Sequence, residues 1–330
     1  MKAMHSSFKI MLLIINLYLS ACILSGCSGE SSAKKTSPDK TLKGHFSVSG
    51  AFALYPLTVK WAEEFQKSHP GVRIDISAGG AGKGMMDVLS NMVDLAMFSR
   101  SVTEVEEKKG AWKVAVAKDA VLPTMNSKNP LISELLKTGI SKETFRQICI
   151  DQSVKSWNKC VQAEGQLYNI NVYTRSDACG AAEMWGLFLG SNQESLNGIG
   201  VFGDPGIAEA VKNDPLGTGY NNVIYAYDIT SRKQFDGLSV IPIDLNGNHK
   251  IDEDEAFYES LDDIMKAIGD GKYPSPPARE LYFISNGKPT NEAVLAFLEW
   301  ILTDGQQFVN EAGYVRLPDE TIRQQLTTIQ

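Results

Sequence analysis

The chain has 330 residues, 43% of them hydrophobic; that is enough for a large core and more than one compact domain comfortably holds, so two lobes are the starting expectation. Its formal net charge of -7 excludes a general nucleic-acid surface, which needs a basic face to neutralise phosphates. An acidic chain that captures an anion must do so with a local site.

The N-terminus carries a targeting pattern. Lys2 and Lys9 precede an apolar run from Ile10 to Leu24 that ends in Leu24-Ser25-Gly26-Cys27. Small residues before a cysteine resemble a bacterial lipobox, so the expectation is cleavage before Cys27 and acylation of its thiol. The product is anchored to a membrane without spanning it. An ordinary signal peptide or a signal anchor is the alternative. No other stretch is long and apolar enough for a bilayer span. Residues 28–43 are rich in Ser, Lys, Thr and Gly and lack the apolar surface to fold, so they read as a tether. Of the five cysteines, Cys22 leaves with the signal, and Cys149 and Cys160 flank a short loop and are expected to form a disulfide in a permissive compartment. Cys179 is then the odd one.

Beyond the tether, strand and helix periods alternate. Phe46–Val48 reads as a short strand, and Leu57, Trp61 and Phe65 recur every fourth residue on one face of a helix starting near Pro56. Val72, Ile74 and Ile76 alternate with polar residues as a half-buried strand does. A Gly-rich turn at 79–84, a helix over 85–91 and an apolar strand at 95–98 follow. This order implies a mostly parallel sheet covered by helices, an α/β fold. The apolar run 114–122, closed by Pro123, is the expected first crossing between lobes. A further strand at 172–175 leads into a helix over 183–189. After the stiff connector Pro274-Ser275-Pro276-Pro277, Leu281–Ile284 reads as a strand and Val294, Phe297, Leu298 and Ile301 as the buried face of a helix. If that segment rejoins the first lobe, two crossings make a hinge. The expected lobes are 44–120 with 277–330, and 121–276.

Three turns share one design. Gly50-Ala51-Phe52-Ala53-Leu54, Gly79 to Gly84, and Ser176-Asp177-Ala178-Cys179-Gly180-Ala181 each follow a strand and open a helix. Small residues let backbone N–H groups approach a ligand, and a helix N-terminus carries partial positive charge, a combination suited to an anion. Taken singly, each is more readily an ordinary βα turn; together with Arg100 and Arg175 near strand ends they point to a site. The second turn is no nucleotide-binding P-loop, because Ser77 and Gly84 stand where that motif needs glycine and a hydroxyl.

Ser49-Gly50-Ala51-Phe52-Ala53-Leu54-Tyr55-Pro56, Trp61-Ala62-Glu63-Glu64-Phe65, Gly79-Gly80-Ala81-Gly82-Lys83-Gly84, Val93-Asp94-Leu95, Ser99-Arg100, Arg175-Ser176-Asp177 and Gly217-Thr218-Gly219-Tyr220 occur in this order. The chain thereby resembles the phosphate-binding components of high-affinity ABC phosphate importers over most of 44–320. The resemblance implies a two-lobe periplasmic-binding-protein fold, an interlobe ligand cleft, closure by a hinge, an oxyanion ligand with phosphate first, an ABC permease as partner, and a monomer. It also implies ligand contacts at Ala51, Phe52, Ala53, Leu54, Ala81, Gly82, Ser99, Arg100, Arg175, Asp177, Cys179, Gly180 and Ala181. The family usually places Ser or Thr in these turns and often an acid where Ser99 stands. Each missing hydroxyl removes a donor worth about 1.5–3 kcal/mol to a buried anion. The guanidinium of Arg175, able to grip two ligand oxygens, and the turn backbone remain. Asp177 is expected to orient Arg175, and Asn221 and Asn222 serve either as further donors or as core.

A second candidate lies at 244–255. Asp244, Asn246, Asn248, Asp252 and Glu255, with the Lys250 carbonyl, occupy the ligand positions of an EF-hand calcium loop, and His249 stands where glycine is expected. Structural calcium and a solvated acidic turn are the two readings. Cys179 at a helix start invites comparison with a nucleophile, but no histidine lies near it in sequence, and neither a zinc-protease helix nor a Gly-x-Ser-x-Gly elbow is present, so the chain is expected not to be an enzyme. A receptor or scaffold binding an organic ligand, or none, is the rival to transport.

Overall fold

The computed structural model describes residues 42–330; the expectations for the signal, Cys27 and most of the tether lie outside them. Among the described residues eleven strands form in chain order: β1 Gly44–Gly50, β2 Val72–Ala78, β3 Leu95–Phe98, β4 Ala111–Asn126, β5 Ile140–Ser141, β6 Asn171–Arg175, β7 Ile199–Val201, β8 Gly217–Asn222, β9 Leu238–Val240, β10 Ile243–Asp244 and β11 Ala278–Asn286. Nine make one sheet in the order β2-β1-β3-β11-β4-β8-β6-β7, with β9 added to β4; β5 and β10 pair separately. β1 runs parallel to β2 and β3, as the strand-helix-strand pattern dictates. Helices cover it, among them Tyr55–Ser68, Ala81–Leu89, Gly180–Phe188, Gly203–Lys212 and Glu292–Leu302. The apolar period every fourth residue buries Leu57, Trp61 and Phe65 on the first, and Val294, Phe297, Leu298 and Ile301 on the last.

The buried side chains divide along the chain. One cluster draws on 46–117, Ile224 and 281–329; a second on 120–278; a small third holds Ile207, Ala208, Val211 and Leu238. Antiparallel β4 and β11 reach both large clusters, and Arg279 stands in register with Asp119 where they change from one to the other. None of the helices of the described residues is long and apolar enough to cross a membrane.

Two local expectations are corrected. The apolar run does not close at Pro123: β4 continues to Asn126, with Pro123 opposite Tyr220 and its carbonyl accepting from Ile241 N at 2.9 Å. A proline fits there because the strand uses its carbonyl while no donor is required of it. Nor are Cys149 and Cys160 bridged. Both are free, buried thiols; Cys160 Sγ donates to Ser156 O in its own turn, and burial pushes each thiol up to about 12, suppressing the thiolate that disulfide exchange needs.

Candidate functional site

The three turns converge. β1 ends at Gly50, whose φ of 129° and approach to Met97 leave no room for a side chain: a Cβ there would lie 2.3 Å from Met97 O. Ala51 N donates to Met97 O, and Tyr225 and Tyr314 hydroxyls donate to Phe52 O and Ala53 O, fixing the first turn. Ala51, Ala53 and Leu54 are buried, and Phe52 packs edge-on against Phe202, centroids 5.8 Å apart. In the second turn, Ala81 is buried and Gly82 N donates to Ala178 O at 3.1 Å, joining it to the third. There Gly180 meets Ser99 at the end of β3 so closely that a Cβ would lie 2.2 Å from Ser99 O. The amides of Ala81, Gly180 and Ala181 lie in the first turns of their helices, where the intrahelical ladder supplies no acceptor.

Arg175 ends β6 with its side chain 1% exposed. Nε and Nη2 donate to Asp177 Oδ1 and Oδ2 at 2.8 and 2.6 Å, and Nη1 donates to Asp204 Oδ2 at 2.5 Å. Its face lies over the Phe52 ring, 5.6 Å from the centroid. Burial works against the positive charge, yet Asp204 and then Asp177 outweigh it and raise the guanidinium above its ordinary value. A guanidinium has five N–H groups, so two remain beyond these three bonds. Asp177 thus grips Arg175 with both oxygens.

Arg100 is engaged locally: it stacks over Phe98 and donates to both Glu106 oxygens, at 3.0 and 2.7 Å. Cys179 caps the helix Gly180–Phe188, its Sγ accepting from Ala182 N; burial pushes this thiol up to about 12, against the pull of Arg175. His45 contacts Asp75, His69 contacts Phe65 and His249 stands in the acidic loop, each with a partner other than Cys179.

Sequence reasoning does not single out Asp204, Asp119 or Arg279. Asp204 accepts from Arg175 and from Asn222 Nδ2 at 2.7 Å, and its carbonyl accepts from Asn221 Nδ2. A signal existed: Phe202-Gly203-Asp204-Pro205 follows an apolar strand and opens a helix, as the three turns do. Asn221 and Asn222 are buried members of this network.

In the loop 244–255, Asp244 accepts the amides of Gly247, Asn248 and His249, and Glu255 those of Leu245, Asn246 and Asp252. His249 takes the left-handed φ of 61° that this position demands. Asn246 and Asn248 donate to Asp252, as does Lys250 Nζ at 2.6 Å. Among the described residues no three His, Cys, Asp or Glu side chains cluster as a metal site. The donor set is hard oxygen from Asp, Asn, Glu and a carbonyl, which fits calcium better than a transition metal.

Residues 35–305 match the family model described as the PBP superfamily domain. The phosphate-binding protein PstS of Methanocaldococcus jannaschii is 25% identical over 374 residues, covering 96% of this chain and 94% of that protein. PstS of Staphylococcus haemolyticus is 23% identical, covering 93% of each. A solved Clostridium perfringens structure with bound phosphate superposes at a TM-score of 0.67, with 18% identity over 83% of this chain and all of that one. An ABC-type phosphate transport receptor from Vibrio cholerae gives 0.59, with 16% identity and the same coverage. At these identities the superpositions speak for the two-lobe α/β fold.

Proposed function

The chain belongs to the PBP superfamily, and from that premise we propose that it captures a small oxyanion, phosphate first, between two lobes and hands it to an ABC importer. The observation that carries this is the convergence of three helix-opening turns around the buried Arg175, with first-turn amides at Ala81, Gly180 and Ala181. Backbone donors and the two remaining guanidinium N–H groups stand in for the missing hydroxyls. The curated relatives named for phosphate binding, matched almost end to end, support the choice of ligand. In this reading residues 44–120 with 277–330, and 121–276, are the lobes, β4 and β11 are the hinge strands, and no chemistry is performed on the ligand. The protein works outside the cytoplasm as a monomer held by lipid on Cys27, and calcium in the loop 244–255 braces the second lobe.

One observation favours a second reading. Asp177 and Asp204 already neutralise Arg175, which suits a receptor or scaffold whose ligand is organic or absent. A thermal-shift panel of phosphate, sulfate, molybdate and organic phosphates separates the two: stabilisation by inorganic oxyanions supports capture, and stabilisation by none supports the alternative.

A further inference from the structure

Behind Arg175 lies a second buried guanidinium that no sequence motif marks. Arg279 on β11 faces Asp119 on β4 where both strands pass between the two large clusters. Its Nη2 donates to Asn222 Oδ1 and makes a longer contact, 3.4 Å, with Asp119 Oδ2. Among the described residues, Arg279 Nε and Nη1 and Asp119 Oδ1 have no hydrogen-bond partner. Such orphaned buried groups are costly unless something else uses them. Asn222 carries the contact onward: its Nδ2 donates to Asp204 Oδ1, and Asp204 Oδ2 holds Arg175.

The charged members of this chain of contacts are Asp119, Arg279, Asp204, Arg175 and Asp177. Three carboxylates against two guanidiniums leave one negative charge in excess inside the protein. An arriving anion adds to that excess, and a proton removes it. We propose that Asp119 and Arg279 set the charge of the anion site through Asn222 and Asp204, so that the anion is taken up together with a proton from solvent that comes to rest on Asp119. This rests on the capture reading above.

The groups that act on Asp119 agree with the assignment. Arg279 is the cation beside it; Asp204 is the like charge; and Tyr225, Tyr273 and Tyr314 face the same region. Burial pushes its carboxyl up to about 6, against the pull of Arg279. A bound anion raises it further, so the liganded protein holds more protons than the free one, and affinity rises as pH falls toward about 6 and levels off below it. Asp119 and Arg279 are positioning residues, acting through their partners.

The test is calorimetric titration of phosphate into the wild-type chain and D119N from about pH 5 to about pH 8. The ligand's own titration is common to both and cancels in the comparison. The wild-type affinity relative to D119N is expected to rise toward acid pH, by about tenfold for each pKa unit by which the anion raises Asp119. R279Q, whose amide retains a donor for Asn222, is expected to move the wild-type inflection to higher pH, which keeps the inference open to refutation if D119N does not fold. Superimposable profiles of wild type and D119N, or an unmoved inflection in R279Q, overturn the inference while leaving phosphate capture intact. A wild type that binds no phosphate at any pH overturns the capture reading itself.

Discussion

Arg175 and Asp204 are joined deep inside the protein: Nη1 donates to Oδ2 at 2.5 Å, with the two side chains 1% and 2% exposed. Two charges taken so fully out of water are tolerated only because each completes the other's hydrogen bonds. Arg175→Met strands Asp204 and Asp177 without their cation. The expected cost is about 3–5 kcal/mol, read as a lower midpoint in urea with an unchanged slope. An unchanged midpoint would show that the pair does not hold the site together.

Gly180 packs against Ser99 with no room for a side chain. Gly180→Ala sets a methyl group against Ser99 O, and the expected loss is about 1–3 kcal/mol of stability, with weaker anion binding because the turns are pushed apart. Thermal melting with and without phosphate checks both parts. A variant as stable and as responsive as the wild type would mean that the contact is loose.

The three free cysteines among the described residues give a chemical readout. Cys149, Cys160 and Cys179 are expected to resist iodoacetamide at about pH 8 in the folded protein, since burial pushes each thiol up to about 12. All three are expected to label in urea without reductant. Mass spectrometry of the peptides decides it; a Cys149–Cys160 cystine peptide would contradict the structure.

Local periodicity made much of this architecture legible. β3 spans the four residues its apolar run marks, and the helices after Pro56 and after Pro289-Thr290-Asn291 bury the faces their spacing names. The helix in the second turn starts at Ala81, four residues before the apolar signal at Met85, because glycines carry no periodicity to read. β4 was harder, since a proline ends many strands, and only a partner 97 residues away, Tyr220 opposite Pro123, shows that this one continues. The same holds for the site. Arg175 and its turns stand in contiguous motifs, whereas Arg279 becomes a buried charge only through register with Asp119, 160 residues away in sequence. Arg100 illustrates the converse: a cation at a strand end looks available until the fold supplies Glu106.

Calcium offers an independent check on the acidic loop. Stripping calcium with EGTA is expected to lower the melting temperature by several degrees, and calcium is expected to restore it, because a ligand that binds only the folded loop stabilises by mass action. Asp244→Asn removes the carboxylate that organises Gly247, Asn248 and His249 and is expected to abolish the response. No shift on chelation would leave a turn held by its own hydrogen bonds.

The measurement closest to the centre of this account is isothermal titration of phosphate into the purified wild-type chain and Arg175→Met, with circular dichroism confirming that the variant stays folded. Saturable binding near one phosphate per chain is predicted for the wild type, with affinity at least about tenfold weaker in the variant, since each hydrogen bond to a charged oxygen contributes about 1.5–3 kcal/mol. Equal affinities in the two proteins, or no binding heat in either, would contradict anion capture at Arg175.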